Sequence, residues 1–232
     1  MSLKYKAGQE IMVGDLAFFS GEAAEIDLVA EPSSTDPQHE WYVKEFGGGV
    51  GVLEPKRFGR AFIPADQLPE EEDLEFVARR ESQYVADDAA GLETLTIEWL
   101  KRRVRDSSEL SKAGRANDAL KLLAVSIHTA LKANKVNWFQ TLCRHASVIA
   151  DSIGDLASVR RYRRLAVQHA PNAQNLYGWA DVLLREGDAE TARSMAAKAY
   201  DLIRESSDEL DRGLAELLIK RWPELKNPTR QD

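Results

Sequence analysis

The chain has 232 residues, 44% hydrophobic and 30% charged, the balance of an ordinary globular protein with room for one large domain or two modest ones. No apolar run approaches the roughly 18 residues of a membrane span and no leader pattern follows Met1, so a cytoplasmic protein without membrane association is expected. A single cysteine, Cys143, excludes an internal disulfide and agrees with that compartment.

The net charge of −7 is unevenly spread. Residues 1–80 carry 8 Lys and Arg against 16 Asp and Glu, whereas residues 81–232 carry 23 against 22. That step argues for two domains, the first acidic enough to repel nucleic acid and attract a basic partner. The pattern predicts an acidic β domain over 1–81, a linker over 82–91, a helical domain over 92–226 and a tail over 227–232, an α+β chain.

In the first part, IMVGDLAFF, AEIDLVA, WYVKEF, VGVL, RAFI and LEFVA read as strands. Turn residues punctuate them at Gly14-Asp15, Ser20-Gly21, Pro32 to Pro37, Gly47-Gly48-Gly49 and Pro64. Six short strands in about 75 residues suit a small bent barrel of the SH3 type. The stretch GDLAFFSGEAAEIDLVAE resembles a KOW-type element, which implies nucleic-acid contact. Lys4, Lys6, Lys44, Lys56, Arg57, Arg60, Arg79 and Arg80 are outnumbered two to one there, too few to displace counterions from phosphates, so no nucleic-acid partner is expected. FGGGVGV lacks both the Lys-Ser/Thr of a P-loop and the GxGxxG spacing, and reads as a glycine-rich hairpin turn or bulge. The polar loop DPQ leads into His39, Glu40, Trp41 and Tyr42. On a strand one of the two aromatics faces outward, as an interface anchor does. Glu70, Glu71, Glu72 and Asp73 form an acidic loop suited to a basic partner.

The period becomes helical from Leu92, with Thr94, Ile97, Leu100, Val104 and Leu110 on one face. Further helices are predicted at Arg115–Ala133, Trp138–Ile153, Leu156–His169, Gln174–Glu186, Ala189–Ser206 and Ser207–Trp222. Asp155, Asn172, Asp188 and Ser207 are placed as caps, and Pro171 and Pro223 as stops. Counting from Ala180, Gly187 lies seven residues on, Ala192 twelve and Ala199 nineteen. Ala146, Gly154 and Ala166, and before them Gly114, Ala119 and Ser126, repeat these marks. The spacing resembles the tetratricopeptide repeat, which implies paired antiparallel helices touching at these small residues and a concave surface that holds a protein or peptide. In that register Gln140, Gln174, Tyr177, Asp181 and Arg185 face the groove, as do Lys101, Val104, Ser108, Cys143 and Ser147. The repeated Lys, Asn and Arg clamp for a terminal carboxylate is incomplete, with Lys101 and Arg185 but no ordered Asn series.

Catalytic signals are weak. No two of His39, His128, His145 and His169 have the spacing of a helical zinc site, so neither metal nor cofactor is expected. No serine sits in a GxSxG elbow, and Cys143 and His145, two residues apart, point to different helix faces. Arg160, Arg161, Arg163 and Arg164 form the densest basic cluster, read as a solvated face or as a contact to the acidic domain. The stretch WYVKEFGGGVGVLEPKRFGRAFIPADQLPEEEDLEFVAR resembles a small β domain of bacterial proteins, some of which look like immunity proteins encoded beside polymorphic toxins. The resemblance implies a cytoplasmic, non-catalytic inhibitor that binds a cognate, basic toxin domain. The alternatives are a repeat-type scaffold or adaptor and an enzyme of unrecognised type. The oligomeric state is left open.

Overall fold

The computed structural model describes residues 2–54, 59–80 and 95–226; the expected linker and tail lie outside them. The chain is α+β. The strands are β1 (Leu16–Phe19), β2 (Glu22–Ala30), β3 (Gly49–Glu54), β4 (Gly59–Pro64) and β5 (Leu74–Ala78). They form an open antiparallel sheet in the order β4-β3-β2-β1-β5. β1 and β2 are joined by Ser20 and Gly21, with φ of 50° and 80°, a turn whose twist matches the flanking strands.

Between β2 and β3 the expectation of a strand is overturned. WYVKEF belongs to a helix, α1 (Glu40–Phe46). The Asp36 side chain accepts a hydrogen bond from the Gln38 amide at 2.8 Å, which turns the chain just before the helix. Gly47, left-handed at φ 67°, donates its N–H to the Tyr42 and Val43 carbonyls and ends it. The glycine run is therefore a helix stop and not a hairpin turn. Gly48 adds a close approach, because a Cβ there would lie 2.4 Å from the Ala30 carbonyl oxygen.

By its internal contacts the chain divides into two compact units, Met1–Leu142 and Cys143–Asp232. In the first, Ala17, Ile26, Val50, Val52 and Ile63 build the sheet's apolar core. Two helices follow the sheet, α2 (Ile97–Lys112) and α3 (Ala116–Lys132). α2 packs on α3, and α3 packs on β1, β2 and β5. α3 is apolar nearly all round, and every residue from Leu122 to Leu131 is buried, the expected fate of such a helix. His128 faces the sheet: its Nε2 lies 3.0 Å from the Ala24 carbonyl oxygen and its ring 5.9 Å from that of Phe18. A second buried polar centre ties the N-terminal segment to the end of β5. Asp15, 1% exposed, accepts hydrogen bonds from Arg79 Nη1 at 2.6 and 2.8 Å, from the Met12 amide at 2.9 Å and from the Tyr5 hydroxyl at 3.2 Å.

The division between units falls within α4 (Val136–Ser152). The second unit continues with α5 (Leu156–His169), α6 (Ala173–Arg185), α7 (Ala189–Ile203), α8 (Glu209–Arg221) and a 3-10 turn, Pro223–Lys226. Asp155, Asn172 and Asp188 cap α5, α6 and α7 by accepting from the amides of Ser158, Asn175 and Thr191 at 3.0–3.1 Å. At α8 the cap is Asp208, which accepts from the Leu210 and Asp211 amides, and not Ser207. Ala180, Ala192, Ala196 and Ala199 are fully buried where α6 meets α7, and Leu218, Trp222 and Leu225 complete that core. Cys143 is buried as well, and burial pushes its thiol pKa up.

Two measurements test this packing. Burial pulls the His128 pKa down to about 4, against an opposing hydrogen bond to Ala24. An unfolded histidine titrates near 6.5, so between these values the unfolded chain binds a proton that the folded chain does not. Stability should fall as pH drops through that window, by on the order of 3 kcal/mol in all. Urea unfolding midpoints across the window should show this slope, and His128→Phe should flatten it. Ala192→Leu should cost about 1–3 kcal/mol by overpacking the α6–α7 seam; an unchanged melting temperature would show that the seam yields freely.

Candidate functional site

Two surfaces collect the candidate side chains, one in each unit. In the first unit, no residue of α1 is fully buried. Trp41 is 57% and Phe46 40% exposed. Their rings lie 5.2 Å apart, edge to face, and Trp41 makes a similar contact with Tyr42 at 5.0 Å. Tyr42 and Phe46 rest in turn on Phe62 of β4, at 4.9 and 5.2 Å. Four aromatics thus form one cluster fixed to the sheet through Phe62, with its outer edge in solvent. His39 Nδ1 lies 2.9 Å from Ser34 Oγ, which orients the turn into the helix, and Glu40 is exposed on the first turn.

The helix corrects how Trp41 and Tyr42 are arranged. They do not alternate across a strand; they are neighbours in one cluster, Trp41 outside and Tyr42 half-buried against Phe62. Phe46 and Phe62 join them and were not anticipated. The available signal was Gly47, which, taken as a helix stop, makes Phe46 the last helical residue of the segment that holds Trp41.

Phe46 also lines an open depression of about 890 Å³, together with Leu3, Tyr5, Leu68, Lys6 and Asp66. Lys6 forms an ion pair with Glu72. The depression therefore borders the aromatic cluster at Phe46, and its Lys6 reaches the acidic turn before β5 through Glu72. In that turn Glu70, Glu72 and Asp73 are exposed, while Glu71 is half-buried and accepts a hydrogen bond from the Asp73 amide at 2.9 Å.

Gln140 is on α4 within the first unit, half-buried, with its amide donating to Asn137 Oδ1 at 3.1 Å. Of the other expected groove residues, Lys101, Val104 and Ser108 lie on α2 in the first unit, and the rest belong to the second unit. Gln174, Tyr177, Asp181 and Arg185 follow the three- and four-residue steps of one helix face on α6. Gln174 is exposed, and Tyr177 packs edge to face on Trp222 at 6.4 Å. Arg185 Nε pairs with Asp181 Oδ2 at 2.9 Å and its Nη1 with Asp151 Oδ1 at 2.7 Å. Arg221 takes the other oxygen of Asp181. A ladder of alternating charge, Asp151–Arg185–Asp181–Arg221, thus joins α4, α6 and α8. The Arg185 hydrogen bond holds the Asp151 carboxyl below its usual range, and the same bond raises the Arg185 pKa. Each pair is partly exposed and contributes little alone, about 0–1 kcal/mol.

The basic clusters are partly absorbed by local contacts. Arg160 pairs with Glu186 at 3.1 Å, Lys101 with Glu98 at 2.9 Å, and buried Arg103 lies 5.8 Å over the Trp99 ring. Among the described residues, no group of three or more His, Cys, Asp and Glu side chains could hold a metal ion, and no helix is long and apolar enough to cross a membrane. No protein-family model matches the chain, and no curated protein matches its sequence.

The aromatic cluster makes a testable distinction between neighbours. Tyr42→Ala removes the ring that bridges to Phe62 and should destabilise by about 1–3 kcal/mol. Trp41→Ala, losing mostly exposed surface, should cost well under half as much. Thermal melts of the two variants check the order.

Proposed function

We propose that the chain is a non-catalytic protein-binding protein, most concretely a cytoplasmic bacterial immunity protein that binds and neutralises a basic toxin domain. The observation that carries this reading is the solvent-facing edge of Trp41 and Phe46, beside a depression whose Lys6 pairs with Glu72 of the acidic turn at Glu70–Asp73. Rigid aromatics beside a depression serve as anchors, and excess negative charge speeds encounter with a basic partner. The finer architecture belongs to the same proposal. A four-strand meander with β5 returning beside β1 supports an SH3-like sheet, and the buried alanines between α6 and α7 support tetratricopeptide-like pairs. An adaptor with a ligand on the α6 face is the second reading. There Asp181 and Arg185 already engage each other and their neighbours, so a ligand would compete with the ladder.

Affinity purification from the native host identifies the partner, and binding kinetics then test the surface. Raising salt should slow association more than it changes dissociation. Reversing Glu70, Glu71 and Glu72 to Lys should act in the same way. Trp41→Ala should instead speed dissociation, with a loss of about 2 kcal/mol or more if the ring is a hot spot. Unchanged kinetics in both the Trp41→Ala and Phe46→Ala variants would move the interface off this surface.

A further inference from the structure

The second unit holds an arrangement that the ladder leaves unbalanced. Arg144 and Asp151, seven residues apart, share one face of α4, and Gly178, Asp181 and Arg185 share one face of α6. The Arg163 guanidinium, arriving from α5, lies directly on α6 at Gly178, where a Cβ would be 2.4 Å from Nη1 and 2.9 Å from Cζ. A glycine inside a helix is less favourable than alanine, and here it leaves room for this guanidinium. Arg185 and Arg221 take the carboxylates of Asp151 and Asp181. Among the described residues, neither Arg144 nor Arg163 closes an ion pair of its own. Four guanidinium groups therefore share two carboxylates. Both Arg144 and Arg163 are half-buried, and their pKa values are lowered, chiefly by burial. Arg163 is lowered further by repulsion from Arg144 and Arg185, against attraction to Asp181 and Asp151.

We propose that Arg144, Arg163 and Arg185 form a binding site for a doubly charged oxyanion of the phosphate class. Two unmatched positive charges, partly withdrawn from water, match a dianion in charge. The planar guanidinium forks of Arg144 on α4 and Arg163 on α5 can each donate two parallel hydrogen bonds to phosphate oxygens, while Arg185 on α6, held by Asp151 and Asp181, adds positive charge beside them. The same chemistry is offered by free phosphate and by a phosphorylated side chain.

Calorimetric titration of the full chain distinguishes these sources, with inorganic phosphate, phosphoserine blocked at both ends, and acetate as probes. Inorganic phosphate should bind at one site with Kd below about 1 mM, and acetate at least about tenfold more weakly. Tighter binding of blocked phosphoserine than of inorganic phosphate assigns the anion to a phosphorylated chain; equal or weaker binding assigns it to a free oxyanion. Arg163→Gln and Arg144→Gln should each weaken phosphate about tenfold or more. Gly178→Ala keeps every charge and favours the helix, yet displaces the Arg163 guanidinium, so it too should weaken phosphate while circular dichroism stays unchanged. Arg160→Gln, whose partner is Glu186, should leave the affinity as it was. Absence of saturable phosphate binding overturns the proposal, as does undiminished affinity in both Arg163→Gln and Gly178→Ala.

Discussion

The first unit is organised around a helix that has almost no solvent face. α3 is covered by the sheet and by α2, so its apolar residues on opposite sides each require a partner element. A helix with a single apolar stripe could dock on the sheet and leave its back in water; this one cannot. The requirement reaches beyond the helix. It binds α2 to the sheet's unit, and it places His128 against the backbone of β2, where only an uncharged imidazole is comfortable. The sheet in turn keeps its N-terminal lead and its last strand together through the buried Asp15 carboxylate. That carboxylate is tolerated because a backbone amide, a phenol and a guanidinium all donate to it.

Much of the helical half was legible in the sequence. The 3.6-residue period, the Asp155, Asn172 and Asp188 caps and the prolines after α5 and α8 are local signals, and the helices lie within a few residues of the expected bounds. The alanines spaced from Ala180 are buried where α6 and α7 touch, as expected of small residues at a close approach. The strands were legible wherever β-branched residues alternated between turn signals. WYVKEF was not, because a short apolar segment satisfies helix and strand patterns equally, and the deciding information was in the turn before it and the glycine after it. Contacts between distant segments were illegible in principle. Nothing local to Arg163 announces Gly178, and nothing local to Lys6 announces Glu72.

Charge serves different ends in different places on this chain. Along α4, α6 and α8 it is paired, residue by residue, into a ladder that crosses three helices. Its Asp181 and Arg185, expected to face a ligand, also hold each other and their neighbours. In the turn before β5 the acids mostly remain in solvent, with Glu72 drawn toward Lys6. The partner proposed for that surface therefore meets carboxylates that folding has left mostly exposed.

The single thiol of the chain is completely enclosed, on a helix between the apolar Leu142 and Ala146, and its ionisation is suppressed by that enclosure. A thiol must ionise to attack and must be reached to be attacked. Oxidants and alkylating agents are therefore excluded from Cys143 while α4 is closed, and any adduct on it records that the helix has opened. The chain thus carries its own chemical recorder of the opening of its surroundings at that helix.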